Sequence, residues 1–153
     1  MRNLIITVAA AVLMTGPLLA AEKSEKADVM DVVDQLLDAF NKGDTKTVLA
    51  LCVDDMSILD DFPPHEWHGP GAFSKWFADY DADSKKKGIT DGMVTIGKPR
   101  HVDVTGDRAY VVAPANYTYK QNGKPKKEAG EDTYTLQKGK DGWRITGWAW
   151  AKN

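Results

Sequence analysis

The sequence predicts an α+β domain in which three helices precede a strongly curved antiparallel sheet. Three observations carry this. Apolar residues recur at helical spacing from Val29 to Phe40 and again from Ala72 to Tyr80. From Met93 onward the pattern changes to strand-like runs separated by Gly with Asn or Asp, residues that tolerate positive φ. The 153 residues suffice for one domain with one core.

The first residues lie outside that core. Arg2 is followed by an apolar run from Leu4 to Met14, then Gly16, Pro17 and the small residues Ala20 and Ala21. That order is the pattern of a secretory signal peptide, with cleavage after Ala20 or Ala21. The run is too short and wrongly flanked for a transmembrane helix. No cysteine follows it, which argues against a lipid anchor. The expectation is a leader over 1–21 and one exported domain over 22–153, periplasmic or secreted, free of the membrane once cleaved.

Loss of Arg2 moves the formal charge from −2 to about −3. Acids dominate residues 22–61 and lysines residues 85–153. "KKK" at 85–87 and "KPKK" at 124–127 read as helix-end and hairpin-tip charges. An acidic exported chain without basic–aromatic interleaving is no nucleic-acid binder. Cys52 is the only cysteine, so there is no internal disulfide, and its apolar setting "VLALCV" reads as a buried small residue.

Each element follows from local pattern. Asp28 to Asn41 is an amphipathic helix, with Val29, Val32, Val33, Leu36, Leu37 and Phe40 on one face and Gly43 as its C-terminal cap. Asp44 caps a second helix from Thr45 to about Val53, which "DD" at 54–55 breaks. "MSILDDF" reads as a strand with Ser57, Leu59 and Asp61 on one face and Ile58, Asp60 and Phe62 on the other; Pro63 and Pro64 end it. A third helix runs from Pro70 to Lys86 with Phe73, Trp76, Phe77 and Tyr80 on its apolar stripe, closed by Gly88. Four long antiparallel strands follow: "MVTIGKPRHVDV", in which Pro99 marks an edge or bulge, "RAYVVAPANYTYK", "EAGEDTYTLQK" and "WRITGWAWAK". A long curved sheet of this kind forms a cone whose mouth is a natural pocket.

The densest chemistry lies in "DDFPPHEWHGPG", residues 60–71. Asp60, Asp61, His65 and His68 are the candidate acid/base residues, since histidine titrates near neutral pH and a carboxylate on an apolar wall has a raised pKa. The plainer reading has the aspartates capping local backbone and Trp67 sealing the core. Two imidazoles and a carboxylate could also hold zinc. However, His65 and His68 are three apart among prolines, unlike the helical H-E-x-x-H arrangement, so no metal or other cofactor is assigned. His101, beside Arg100 in a strand, reads as surface. Trp67, Trp76, Tyr117, Tyr119, Trp148 and Trp150 are the candidate ligand-binding residues, because tryptophan and tyrosine join apolar area to a polar handle. Strand alternation places Trp143 and Ile145 on one face and Trp148 and Trp150 on the other.

Four segments together resemble the NTF2-like superfamily, also called the SnoaL-like or ketosteroid-isomerase-like fold: "LLDAFNKGDTKTVLALCVDDMSILDDFPP", "WHGPGAFSKWF", "GDRAYVV" and "KDGWRITGWAWAK". The resemblance spans nearly the whole of 22–153. It implies a cone-like α+β domain with an interior cavity, often dimerising through its sheet. It implies no single activity, since members include isomerases, dehydratases, cyclases and proteins without catalysis. The isomerase branch carries its general base in a segment like "DDATVEDP", which matches Asp60 in "DDMSILDD". That branch also uses a first-helix tyrosine as oxyanion donor, and Leu36 stands at that position here. Two expectations remain. The chain is a non-catalytic module that binds a small apolar or aromatic molecule in its cone or acts through a homodimer interface, or it is an isomerase or lyase that moves a proton with Asp60 or Asp61 and His65 or His68.

Overall fold

A computed structural model describes residues 16–153, with side chains from residue 24. The leader expected over 1–21 lies outside the described residues, apart from the backbone from Gly16. Three helices, α1 (Gly16–Asn41), α2 (Thr45–Leu51) and α3 (Ala72–Lys87), pack on a curved seven-stranded sheet. The strands are β1 (Cys52–Leu59), β2 (Glu66–Pro70), β3 (Ile89–Ile96), β4 (His101–Thr105), β5 (Arg108–Gln121), β6 (Lys124–Gly139) and β7 (Gly142–Lys152). Their order is β2-β1-β7-β6-β5-β3, with β4 also paired to β5. Among the described residues no helix is long and apolar enough to cross a membrane.

The helices form around the expected apolar runs but with other ends: α1 already begins at Gly16, α2 stops at Leu51 where β1 takes over, and α3 begins at Ala72 because Pro70 belongs to β2. Val29, Val33 and Leu36 of α1 are buried against the sheet. Asp44 accepts the Thr47 N–H at 3.1 Å and starts α2. Gly88, at φ 67°, ends α3 by donating to Lys85 and Ser84 carbonyls, and Lys85, Lys86 and Lys87 sit at the negative end of the helix dipole. "KPKK" follows the Asn122–Gly123 turn (φ 50° and 77°) at the tip of the β5–β6 hairpin.

The sheet departs from a plain four-strand meander in four ways. First, β1 begins at Cys52 and ends at Leu59, so Asp54 and Asp55 lie within the strand instead of breaking a helix before it. Second, β1 runs parallel to β7, which makes the sheet mixed; the free edge left by the last strand is covered by the first. Third, residues 66–70, for which no strand was expected, form β2 and pair antiparallel with β1, Ser57 opposite His68. Fourth, the run from Met93 is two strands. Gly97 and Arg100 donate to Pro114 and Val112 carbonyls, so both halves stay on the edge of β5 across the break at Pro99.

A bulge in β7 changes which side chains share a face. Ile145 pairs with Leu136 and Gly147 with Thr135, so Thr146 is an extra residue. The alternation resets there. Trp148 and Trp150, opposite Tyr134 and Asp132, therefore lie on the same concave face as Ile145. The expected separation of Trp143 and Ile145 from Trp148 and Trp150 does not hold. Cys52 is buried, as its setting implied, and burial pushes its thiol up to about 12.

Candidate functional site: a cavity in the cone

The concave face and the helices enclose a cavity of about 390 Å³. Leu36 and Phe40 reach it from α1, and Trp76 and Tyr80 from α3. Tyr117 and Tyr119 come from β5, and Trp148 and Trp150 from β7. The rings hold one another in place. Trp76 stacks on Tyr80 (5.3 Å, 16°) and meets Trp148 edge-on (5.1 Å, 88°), while Tyr117 and Tyr119 stack at 4.8 Å. Gly130 makes room for this wall: a Cβ there would lie 2.5 Å from the Ala151 carbonyl oxygen and 2.8 Å from the Trp150 ring.

Two carboxylates interrupt the apolar wall. Asp60, just beyond β1, accepts the Trp76 indole N–H at 2.9 Å on Oδ2 and the Asp61 backbone N–H at 2.7 Å on Oδ1. Burial pushes its pKa up to about 6, although both hydrogen bonds favour the anion. Asp132, on β6, is only 6% exposed and accepts the Tyr134 hydroxyl at 3.0 Å. Burial pushes it up to about 7, against that hydrogen bond and with help from the charge of Asp60. Groups of this kind in a cleft mark candidate sites.

The mouth is polar. Lys152 Nζ lies 2.8 Å from Glu128 Oε1 and 3.8 Å from Asp61 Oδ2. The Tyr119 hydroxyl donates to Glu128 at 2.8 Å. Burial works against ionisation of Glu128, yet Lys152 and Tyr119 hold its pKa below the usual value. Inside, the Tyr80 and Tyr117 hydroxyls are 2.7 Å apart, and burial raises Tyr117 well above an ordinary phenol.

The expected acid/base residues separate. Asp60 borders the cavity wall and Asp61 its rim. Neither His65 nor His68 lines it. The exposed His65 turns its Nδ1 to the Asp60 carbonyl oxygen at 3.1 Å. His68 alternates to the outer side of β2, where it meets Ser57 Oγ (3.1 Å) and Glu66 (3.3 Å). The expected convergence of a histidine with Asp60 is not what the fold builds. His101 is exposed on β4. Among the described residues no group of three or more His, Cys, Asp or Glu side chains is placed to hold a metal ion.

Of the expected ligand-binding residues, Trp76, Tyr117, Tyr119, Trp148 and Trp150 line the cavity. Trp67 does not. It is buried behind the wall, 5.1 Å from Phe62, with its N–H donated to Asp79 at 2.8 Å. Sequence reasoning missed Asp132 and its partner Tyr134. A signal was present in "EDTYTL": alternation sets Asp132 on the face of Tyr134 and Leu136, and a lone carboxylate on an apolar strand face requires a reason.

The profile of the SnoaL-like domain matches residues 29–149. The structure is similar to an NTF2-like superfamily protein from Salmonella enterica serovar Typhimurium (TM-score 0.71, 17% identity, covering 85% of this chain and 92% of that one). It is also similar to a putative dehydratase of the NTF2-like family from Streptomyces avermitilis (0.72, 18%, 86% and 98%). A third similar structure is the CaMKII hub of S. rosetta (0.67, 24%, 83% and 95%). At these identities the likeness speaks for the fold alone. A search of curated proteins finds no match. The span of the matched profile and the cone architecture agree: the chain belongs to the SnoaL-like domain family and has the NTF2-like fold.

Proposed function

We propose that this chain is an exported domain that holds a small apolar or aromatic molecule in its cone. The observation that carries the reading is the cavity of about 390 Å³ walled by indole and phenol rings, a size and lining suited to a small planar ligand. The neutral dye N-phenyl-1-naphthylamine, which brightens on leaving water, tests it. A saturable rise is expected, and Trp148→Ala weakens it by roughly tenfold through the lost ring contact. A dye that stays dark at every protein concentration sinks the reading.

Export rests on the order of residues 1–21, and an intact mass beginning at Ala21 or Glu22 in the exported fraction tests it. Self-association, as a homodimer, draws support from a hub domain of the same fold. Native mass spectrometry then gives a dimer mass, and a monomer at all concentrations rejects it.

A second reading, proton-transfer catalysis as an isomerase or lyase, is favoured by Asp60. Its carboxyl titrates near 6 beside an apolar cavity, which suits a general base at neutral pH. Asp132, partly protonated there, is a hydrogen-bond donor on the same wall. Deuterium wash-in alpha to the carbonyl of small aryl ketones in D₂O tests this. Asp60→Asn should abolish exchange, and exchange unaffected by that change rejects the role.

A further inference from the structure

Resting on the reading of the cavity as a ligand site, we infer that the ligand is a protonated amine carried on a flat apolar body. The charge on the wall points this way. Two lysines, Lys87 and Lys152, face five carboxylates, Asp60, Asp61, Asp83, Glu128 and Asp132. The lysines are already taken, Lys87 by Asp83 at 2.7 Å and Lys152 by Glu128 at 2.8 Å. Asp60 and Asp132 have no ion-pair partner among the described residues. Asp132, more than nine-tenths buried, spends Oδ2 on Tyr134, and no donor among the described residues meets its Oδ1. Asp132 lines the cavity, which places this unmet acceptor on the wall of the ligand site.

The rings supply the second, independent observation. Aromatic faces carry negative potential and attract a cation. Trp76 and Trp148, at 88° to each other, and Tyr80, stacked on Trp76, place such rings along the same cavity as the carboxylates. An ammonium brings an N–H donor for the unmet Asp132 oxygen, a counter-charge for both carboxylates and a charge that ring faces favour. An anionic ligand would add another negative group to this space. A neutral alcohol would leave the wall's charge unanswered. Burial holds Asp60 near 6 and Asp132 near 7, so at pH 8 both are ionised and lack a counter-charge.

Isothermal titration of the full chain at pH 8 with tryptamine, tryptophol and indole-3-acetate tests the inference, since the three share one ring and differ in charge. Tryptamine is expected to bind at least tenfold more tightly than the other two. In the Asp60→Asn, Asp132→Asn double variant the amine-to-alcohol ratio should fall toward one. Tryptophol or indole-3-acetate binding as tightly as tryptamine to the unaltered chain overturns the amine assignment, with no variant needed. Binding of none of the three while N-phenyl-1-naphthylamine still brightens also overturns it, and leaves the cavity as a site for a different ligand. A dark naphthyl dye together with no binding of the three ends both readings.

Discussion

Trp76 donates its indole N–H to Asp60 Oδ2 at 2.9 Å, tying the second turn of α3 to the residue just beyond β1 along the cavity wall. The bond fixes the ring against Trp148 and also stabilises the Asp60 anion. Trp76→Phe keeps an aromatic ring and removes the donor. Asp60, already raised to about 6 by burial, should then titrate higher still, because one hydrogen bond to its charged form is gone. Carboxyl carbon NMR against pH reads this directly, and an unchanged or lower value rejects the role of the bond. The stability cost should be about 1–3 kcal/mol, since the lost bond involves a charged acceptor.

Asp132 makes the native state pH-sensitive in an unusual direction. Its folded pKa, about 7, lies above the ordinary value of 3.8. The folded state therefore holds the proton more tightly than the unfolded chain does. Stability from this group is greatest below the unfolded value and declines as pH rises to about 7, above which the loss is complete. Asp132→Asn keeps an acceptor for Tyr134 and cannot ionise. The variant should be more stable than the parent at pH 8, on the order of 4 kcal/mol, and close to it at pH 4. Urea unfolding at the two pH values measures this, and a variant equally destabilised at both contradicts it.

Helix periodicity made α1 and α3 legible, and Gly–Asn and Gly–Asp turns marked β5, β6 and β7. The cavity's aromatic wall was legible for a partly accidental reason. Trp148 and Trp150 were picked for their chemistry, while the alternation rule put them on the face away from Ile145. The bulge at Thr146 restores them to the concave side; the mid-strand Gly147 beside it is the one local hint in "WRITGWAWAK", but where the alternation resets depends on the partner strand's register. β2 was illegible because "EWHGP" has no alternation and gains its ladder only from β1. Histidine density misled for a related reason: His68 is set on the outer side by its pairing with Ser57, a long-range fact.

If the histidines stand outside the site, removing them should spare it. His65→Ala and His68→Ala should each leave the affinity for N-phenyl-1-naphthylamine within about twofold, under ~0.5 kcal/mol, as expected of surface substitutions. Their partners are Asp60 O, Ser57 and Glu66, and none of these contacts crosses the cavity. A tenfold loss in either variant would show that a histidine reaches the ligand.

Gly130 offers a test of the cavity's shape that touches none of its polar groups. It pairs with Lys152 on β7 and lies beneath the Trp150 ring. A methyl group there would stand 2.5 Å from the Ala151 carbonyl oxygen, which is backbone and cannot swing away, and 2.8 Å from the ring. The strand or the indole must move, so Gly130→Ala should destabilise the fold by about 1–3 kcal/mol, as overpacking does. The displaced ring also narrows or distorts the cavity, so dye affinity should fall together with stability. The two effects separate in Trp150→Ala. That change removes the ring the methyl would strike while leaving the Ala151 carbonyl in place. In a Trp150→Ala background, Gly130→Ala should therefore cost less stability than it does alone, and the double-mutant cycle measures how much of the clash belongs to Trp150. Full additivity would assign the whole cost to the backbone contact and free Trp150 from any dependence on Gly130.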